Sequence, residues 1–192
     1  MSSDRSTNDV DDAFDQPALV ARARRGDADA WEALYRRIYP QMRAYAGRRL
    51  DPEAARDAVS EAMARAVARI DRFTWEGSGF DAWLFSILRH VVIDAQRAAM
   101  HRACADAPED APCERPGPLD LLLGAEASSA VRAAFKRLST FDQEVLELRV
   151  VAGLSSDEVA AVLGKRSGAV RMAQARALSR LRELLEEEHA TV

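Results

Sequence analysis

Apolar residues recur at spacings of three and four along most of the chain. No stretch alternates β-branched and polar residues at period two, so the pattern predicts an all-α protein. Pro17 suits a first helical turn and opens a short helix to about Arg25, with Gly26 as its stop. Asp27 is placed to cap the next helix, whose Trp31, Leu34, Tyr35 and Ile38 share a face. Pro40 bends or restarts it, and Met42, Tyr45, Ala46 and Leu50 carry the pattern on. Asp51-Pro52 is another start signal, behind which Ala55, Val59, Met63, Val67 and Ile70 form an inward stripe. After a loop with Gly77, Ser78 and Gly79, the residues Phe80, Trp83, Leu84, Ile87, Leu88 and Val91 mark a long helix to about Arg102.

The next segment breaks the pattern. Residues 103–118 contain Pro108, Pro112, Pro116, Pro118 and Gly117 among acids and alanines, which makes a linker rather than a helix. A second helical set begins near Leu119 and runs through Val131, Phe135 and Leu138. Phe141, Val145, Leu148, Arg149 and Val150 predict a helix stopped by Gly153. Ser155 and Glu158 form a capping box before a short helix carrying Val159, Ala160, Val162 and Leu163, which Gly164 ends. Ser167 then caps a long helix with Val170, Ala177, Leu178, Leu181 and Leu185 inward. Two helices joined by a glycine-containing turn are a helix-turn-helix. The expected organisation is an acidic tail at 1–15, a helical domain at 16–102, a linker at 103–130, a second domain at 131–186 and a tail at 187–192.

Composition narrows the class. At 48% hydrophobic and 30% charged, the chain of 192 residues is too apolar for a disordered protein and too charged for a membrane one. It has no run of roughly 18 apolar residues to insert in a bilayer, and acids rather than an apolar segment follow Met1, so a cytoplasmic protein is expected. The formal charge of −4 hides its distribution. Residues 16–102 carry +4 and residues 131–182 carry +5, while the segments before, between and after carry −4, −5 and −4. From Lys165 to Arg182 six basic residues occur with no acid. Phosphate contacts need that bias, and base edges need Arg or polar groups on the first turns of the second helix.

Catalysis and cofactors find little support in the chain. His90, His101 and His189 are far apart and form no HExxH or Ser/His/Asp arrangement, and no phosphate-binding G-x-x-x-x-G-K-[ST] loop is present. His101, Cys104 and Cys113 offer three zinc-compatible groups in a linker at an unusual spacing, so no metal site is expected.

The two halves together resemble bacterial alternative sigma factors of the extracytoplasmic-function group. Asp57-Ala58-Val59-Ser60-Glu61 with Ile70-Asp71-Arg72-Phe73 is similar to the family's acidic helix. Phe80–Ile87 with Arg89-His90 is similar to its −10 segment. Leu146-Glu147-Leu148-Arg149, Gly153-Leu154-Ser155 and Gly168-Ala169-Val170-Arg171 resemble its −35 reader. Ser60 and Val67 stand where Gln and Trp are common in the family, His90 where Asn is frequent, and Ala173 and Gln174 where Arg and Leu are common.

The resemblance implies two domains, regions 2 and 4, and three partners: core RNA polymerase, promoter DNA and an anti-sigma factor. Docking on the polymerase β′ clamp helices would fall to Asp57, Val59, Ser60, Glu61, Met63, Asp71 and Phe73, and region 4 would meet the β flap. The −10 contact would fall to Trp75, Phe80, Trp83, Ser86, Arg89, His90 and Arg97. By their spacing alone Phe80 and Trp83 read first as core, which leaves Trp75 as the aromatic best placed to meet an extruded base. The −35 contact would use Lys165, Arg166, Ser167, Arg171 and Met172, with Arg176 and Arg180 on phosphate. The competing reading is a stand-alone helix-turn-helix regulator whose first domain senses a ligand or dimerises.

Overall fold

The computed structural model describes residues 15–75, 78–105 and 129–189. All of the expected tail at 1–15 except Asp15, together with Gly77, the linker prolines and the helix start near Leu119, lies outside the described residues; of the expected linker at 103–130, residues 103–105 and 129–130 are helical instead. Among those described, eight α-helices form and no strand, in keeping with the all-α expectation. In chain order they are α1 (Gln16–Ala23), α2 (Ala28–Gly47), α3 (Pro52–Arg69), α4 (Phe80–Ala105), α5 (Ser129–Lys136), α6 (Thr140–Leu146), α7 (Ser156–Leu163) and α8 (Ser167–His189). A 3-10 turn (Ile70–Arg72) follows α3, and a π-helical turn (Glu147–Val151) follows α6.

The chain divides into two compact units at Ile38/Tyr39, inside α2 and beside its internal Pro40. In the first unit the Asp15 side chain accepts from the Ala18 amide at 3.0 Å and starts α1. Gly26, at φ 82°, turns the chain, and Asp27 then does two jobs. Its carboxylate takes the Ala30 amide at 3.1 Å and the Arg22 guanidinium at 2.7 Å. The hydrogen bond from Arg22, then that from Ala30, holds its pKa below the ordinary value.

In the second unit α3 packs on α4. Asp51 caps α3 by accepting from Glu53 and Ala54 at 3.1 and 2.9 Å. The buried face of α3 is Ala55, Ala58, Val59, Ala62 and Ala66, running on to Ile70. The stripe expected through Met63 and Val67 is therefore corrected: Met63 is half-buried and Val67 is 51% exposed. A strict spacing of four drifts by about 40° per step on a helix of 3.6 residues per turn, so Val67 has rotated about 120° from Ala55. Small alanines let the two helices approach closely. Opposite them α4 buries Phe80, Leu84, Phe85, Leu88 and Val92, with Tyr45 edge-on to Phe85 at 5.7 Å.

Helices α5, α6 and α7 each pack on α8, around Phe135, Leu138, Leu146 and Ala177, with Leu181 against them. The helix expected to run unbroken from Phe141 to Gly153 instead widens after Leu146. The Ala152 amide reaches the Glu147 carbonyl, five residues back, at 3.0 Å. Around this widening Glu147 and Leu148 are buried, while Val150 is 71% exposed. Gly153 then turns at φ 70°. The capping box forms as expected: Glu158 N–H donates to Ser155 Oγ at 3.2 Å and Ser155 N–H to Glu158 Oε2 at 2.7 Å. Gly164, at φ 62°, ends α7 in the left-handed conformation.

On α8 the buried residues are Val170, Ala173, Ala177 and Leu184, while Leu178, expected inward, is 47% exposed. It lies about 80° from Val170, off the face that meets α6 and α7. Ser167 is not the cap: the Arg166 carbonyl takes the Val170 amide at 3.2 Å, and Ser167 is the first helical residue. The acidic run 186–188, read as part of a tail, is still helical.

Candidate nucleic-acid interface

The turn between α7 and α8 presents Lys165 and Arg166, both exposed, and the first turns of α8 add Arg171 and Met172, the latter 73% exposed. Arg171 Nη1 donates to Ser167 Oγ at 2.8 Å, which holds the guanidinium along the start of the helix. Gly168 and Ala169 between them are small and exposed, so a ligand backbone can approach. Arg176 and Arg180 differ. Arg176 donates to Asp142 on α6 at 2.6 Å, and Arg180 pairs with Glu183 at 2.9 Å and Glu187 at 3.8 Å. Burial alone would raise the Asp142 carboxyl, but hydrogen bonds from Arg176 and Ser139 overcome it and hold the pKa low.

Arg149, which the sequence reading placed in its helix and in the −35-like motif with no role of its own, braces this motif. From the π-helical turn its Nε donates to Gln174 Oε1 on α8 at 2.9 Å, and its Nη1 donates to the Leu154 carbonyl. One guanidinium thus ties the entry of the motif to the reading helix.

The expected −10 residues differ in their settings, and Phe73, expected on the polymerase side, packs among them. Phe73 and Phe80 are buried, and the half-buried Trp83 leans on them at ring distances of 5.3 and 5.5 Å. Trp75 sits edge-on to Phe73 at 4.9 Å and is 43% exposed, the one member of the aromatic cluster with a large open face. Ser86 Oγ donates back to the Ala82 carbonyl at 2.9 Å, and exposed His90 places Nδ1 2.6 Å from the Ser86 carbonyl. Arg97 is exposed with a loose 3.9 Å pairing to Asp94. Arg89 points elsewhere: it grips Glu144 of α6 with two hydrogen bonds, at 2.7 and 3.3 Å.

Of the residues expected to dock on polymerase, Asp57, Ser60, Glu61 and Asp71 are exposed, and Glu61 pairs with Arg65 at 2.7 Å. With Val67 they form an outward face of α3 and its following turn, part acidic and part apolar. Val59 and Phe73 are under the surface, 0% and 2% exposed, and Met63 is half-buried. These three support the outward face from beneath.

A second ion cluster went unread in the sequence because its members lie far apart along the chain. Glu147, with a side chain 4% exposed, is paired with Arg48 at 3.3 Å and with Arg49. Burial raises its pKa, against the pull of Arg49 and Arg48. Arg49 also lies 4.1 Å over the ring of Tyr45, whose hydroxyl burial pushes up to about 12. Among the described residues no three His, Cys, Asp or Glu side chains gather as metal ligands, and no helix is long and apolar enough to cross a membrane.

Two family models match the chain: Sigma-70 region 2 over residues 34–102 and Sigma-70, region 4 over residues 128–181. The ECF RNA polymerase sigma factor ShbA of Streptomyces griseus is 38% identical over 181 residues, covering 88% of this chain and 95% of that protein. The ECF RNA polymerase sigma factor BldN of Streptomyces coelicolor is 36% identical over 173 residues, covering 88% of this chain and 66% of BldN. Among solved structures, the sigma factor RpoE of Bartonella quintana, in complex with the anti-sigma factor NepR, matches with TM-score 0.59 and 27% identity. That match covers 81% of this chain and 96% of RpoE.

Proposed function

The chain belongs to the extracytoplasmic-function (ECF) group of the sigma-70 family, and we propose that it joins core RNA polymerase in the cell interior and directs it to promoters through −10 and −35 contacts. Its part is to supply specificity at initiation, with no catalytic step of its own. The observation that carries this reading is the start of α8: Lys165, Arg166 and Arg171 are exposed there, behind a capped α7 and a left-handed glycine turn. Such a helix start enters the major groove with Arg171 toward base edges and Lys165 and Arg166 toward phosphate.

In the −10 half, Trp75 offers its face to an extruded base, with His90 and Arg97 following along α4. Base–aromatic stacking of about 1–3 kcal/mol offsets much of the cost of taking a base out of the duplex. The outward face of α3, with Asp57, Ser60, Glu61 and Val67, is the surface for the β′ clamp helices, and residues 131–186 supply the one for the β flap. The acidic segment between α4 and α5 is the part that meets the polymerase where nucleic acid otherwise lies. An anti-sigma factor controls the protein, a reading supported by the likeness to RpoE, solved with NepR bound.

Run-off transcription with purified core polymerase tests the reading. Adding the chain is expected to produce transcripts from templates carrying its −35 and −10 elements. A genome-wide template library that yields no chain-dependent start would overturn it.

A further inference from the structure

Gln174 is a polar residue on the reading helix whose amide is aimed by a neighbour. Arg149 Nε donates to Gln174 Oε1 at 2.9 Å, and Nη1 of the same guanidinium is anchored on the Leu154 carbonyl. The oxygen and nitrogen of an amide are told apart by their partners. Here the partner decides, because a guanidinium carries donors and no acceptor, so the atom facing Arg149 is the oxygen. The amide nitrogen is left on the other branch of the side chain. Among the described residues it meets no acceptor, and in the half-buried Gln174 it reaches solvent rather than lying orphaned in the core.

Helical geometry puts that nitrogen beside the exposed start of α8. Gln174 follows Ser167 by two turns and lies within about 20° of it around the axis, and within about 60° of Arg171. Along the axis it stands about 4.5 Å beyond Arg171, close to one base-pair step of about 3.4 Å. We infer that Gln174 is a specificity-determining residue of the −35 contact and that Arg149 is the positioning residue that aims it. The amide offers a donor to the base next to the one Arg171 contacts, and cytosine is the base it rejects. The inference deepens the proposed −35 role of α8 and rests on it.

The chemistry of the base edges gives the preference. In the major groove guanine presents N7 and O6, thymine O4 and adenine N7, all acceptors, while cytosine presents the N4 amino donor. An amide N–H set against that amino group leaves two donors facing each other, each stripped of water and without a partner. A glutamine free to turn escapes this, because its last torsion is broad and nearly two-fold, so it can present oxygen or nitrogen as the base requires. Arg149 removes the choice. Its charged hydrogen bond is stronger than a neutral one, and turning the oxygen outward would break it.

The test is the base composition of the −35 elements that wild-type and variant holoenzymes recover from DNA randomised at that element. Wild type is expected to deplete cytosine about fivefold at one position, next to the one whose preference Arg171→Ala relaxes. Gln174→Leu leaves Arg149 anchored on Leu154 and is expected to abolish the depletion. Gln174→Glu keeps an oxygen on Arg149 while turning an acceptor outward, and is expected to enrich cytosine there instead. Arg149→Ala is expected to readmit cytosine at that position and to leave the Arg171 position as it was. Depletion that is absent from wild type, or that survives Gln174→Leu, would overturn the role of Gln174. Loss of preference at both positions in Arg149→Ala would overturn the positioning role, since a merely structural brace fails in that way. A wild-type pool with no enriched −35 sequence would overturn the promoter role as well, so the two failures are told apart.

Discussion

Arg176 on α8 reaches the buried carboxylate of Asp142 on α6 at 2.6 Å, while Ser139 Oγ donates to the same carboxylate at 2.8 Å. The pair closes the base of the helix-turn-helix and turns Arg176 from a free phosphate contact into a brace. Arg176→Ala is expected to lower stability, since it leaves Asp142 short of a donor. Asp142→Asn should cost a similar amount, and the double variant less than the sum. Urea denaturation of all three measures this; strictly additive costs would show the pair to be uncoupled.

Acid should reveal Asp142 and Glu147 as opposites. The folded pKa of Asp142 lies below its ordinary 3.8, so its contribution is present above that value and lost as pH falls through the folded one. The folded pKa of Glu147 lies above its ordinary 4.5, so its contribution is full below 4.5 and lost as pH rises through the folded value. Asp142→Asn is therefore expected to flatten the acid limb below pH about 4, and Glu147→Gln to gain relative to wild type between pH about 4.5 and 7. Urea midpoints from pH 3 to 7 give both curves.

The capping box makes a local prediction. Ser155→Ala removes the acceptor for the Glu158 amide and is expected to cost about 1 kcal/mol, while Ser155→Asp should restore most of it. Hydrogen exchange of α7 amides against those of α4 tells a frayed cap from general loss of fold.

At the promoter, Arg171 and Lys165 should behave differently. Arg171→Ala in the holoenzyme is expected to cost about 1–3 kcal/mol of −35-dependent affinity and relax base preference at one position. Lys165→Ala should weaken binding across sequences and reduce the salt slope by about one unit. Promoter binding at several salt concentrations, with a randomised −35 element, reads both.

The aromatic cluster divides by burial. Trp75→Ala should leave stability within about 0.5 kcal/mol but lose about 1–3 kcal/mol of open-complex formation, with Trp75→Phe between. Phe80→Ala removes a fully buried ring and should cost about 3–5 kcal/mol of stability. A fluorescent base analogue in the −10 element reports the first, thermal unfolding the second.

What could be read from the chain followed how local the physics is. The signals at Asp27, Asp51, Ser155 and Gly164 were legible because a cap or a left-handed turn needs only its neighbours. The all-α reading rested on long periodic segments, and the pairing of the two sigma-like motifs on the resemblance of their residues to a known family. Val67 and Leu178 were misplaced because a stripe of fours rotates off the face it starts on. The π-helical turn went unread because nothing in the composition of residues 147–151 announces one. The pairing of Arg89 with Glu144 spans 55 residues and that of Arg48 with Glu147 spans 99, distances at which only the tertiary fold chooses partners.

The π-helical turn has a genetic consequence. Such a turn is an α-helix with one residue too many, so a single in-frame codon separates it from a regular helix. Removing one residue between Glu147 and Val151 would rotate all that precedes it by about 100° relative to all that follows. The carboxylate that meets Arg48 and Arg49 would swing off its face, with every side chain's chemistry unchanged. An insertion or deletion of three nucleotides here would thus change which side chains face Arg48 and Arg49 while leaving the identity of every remaining residue untouched.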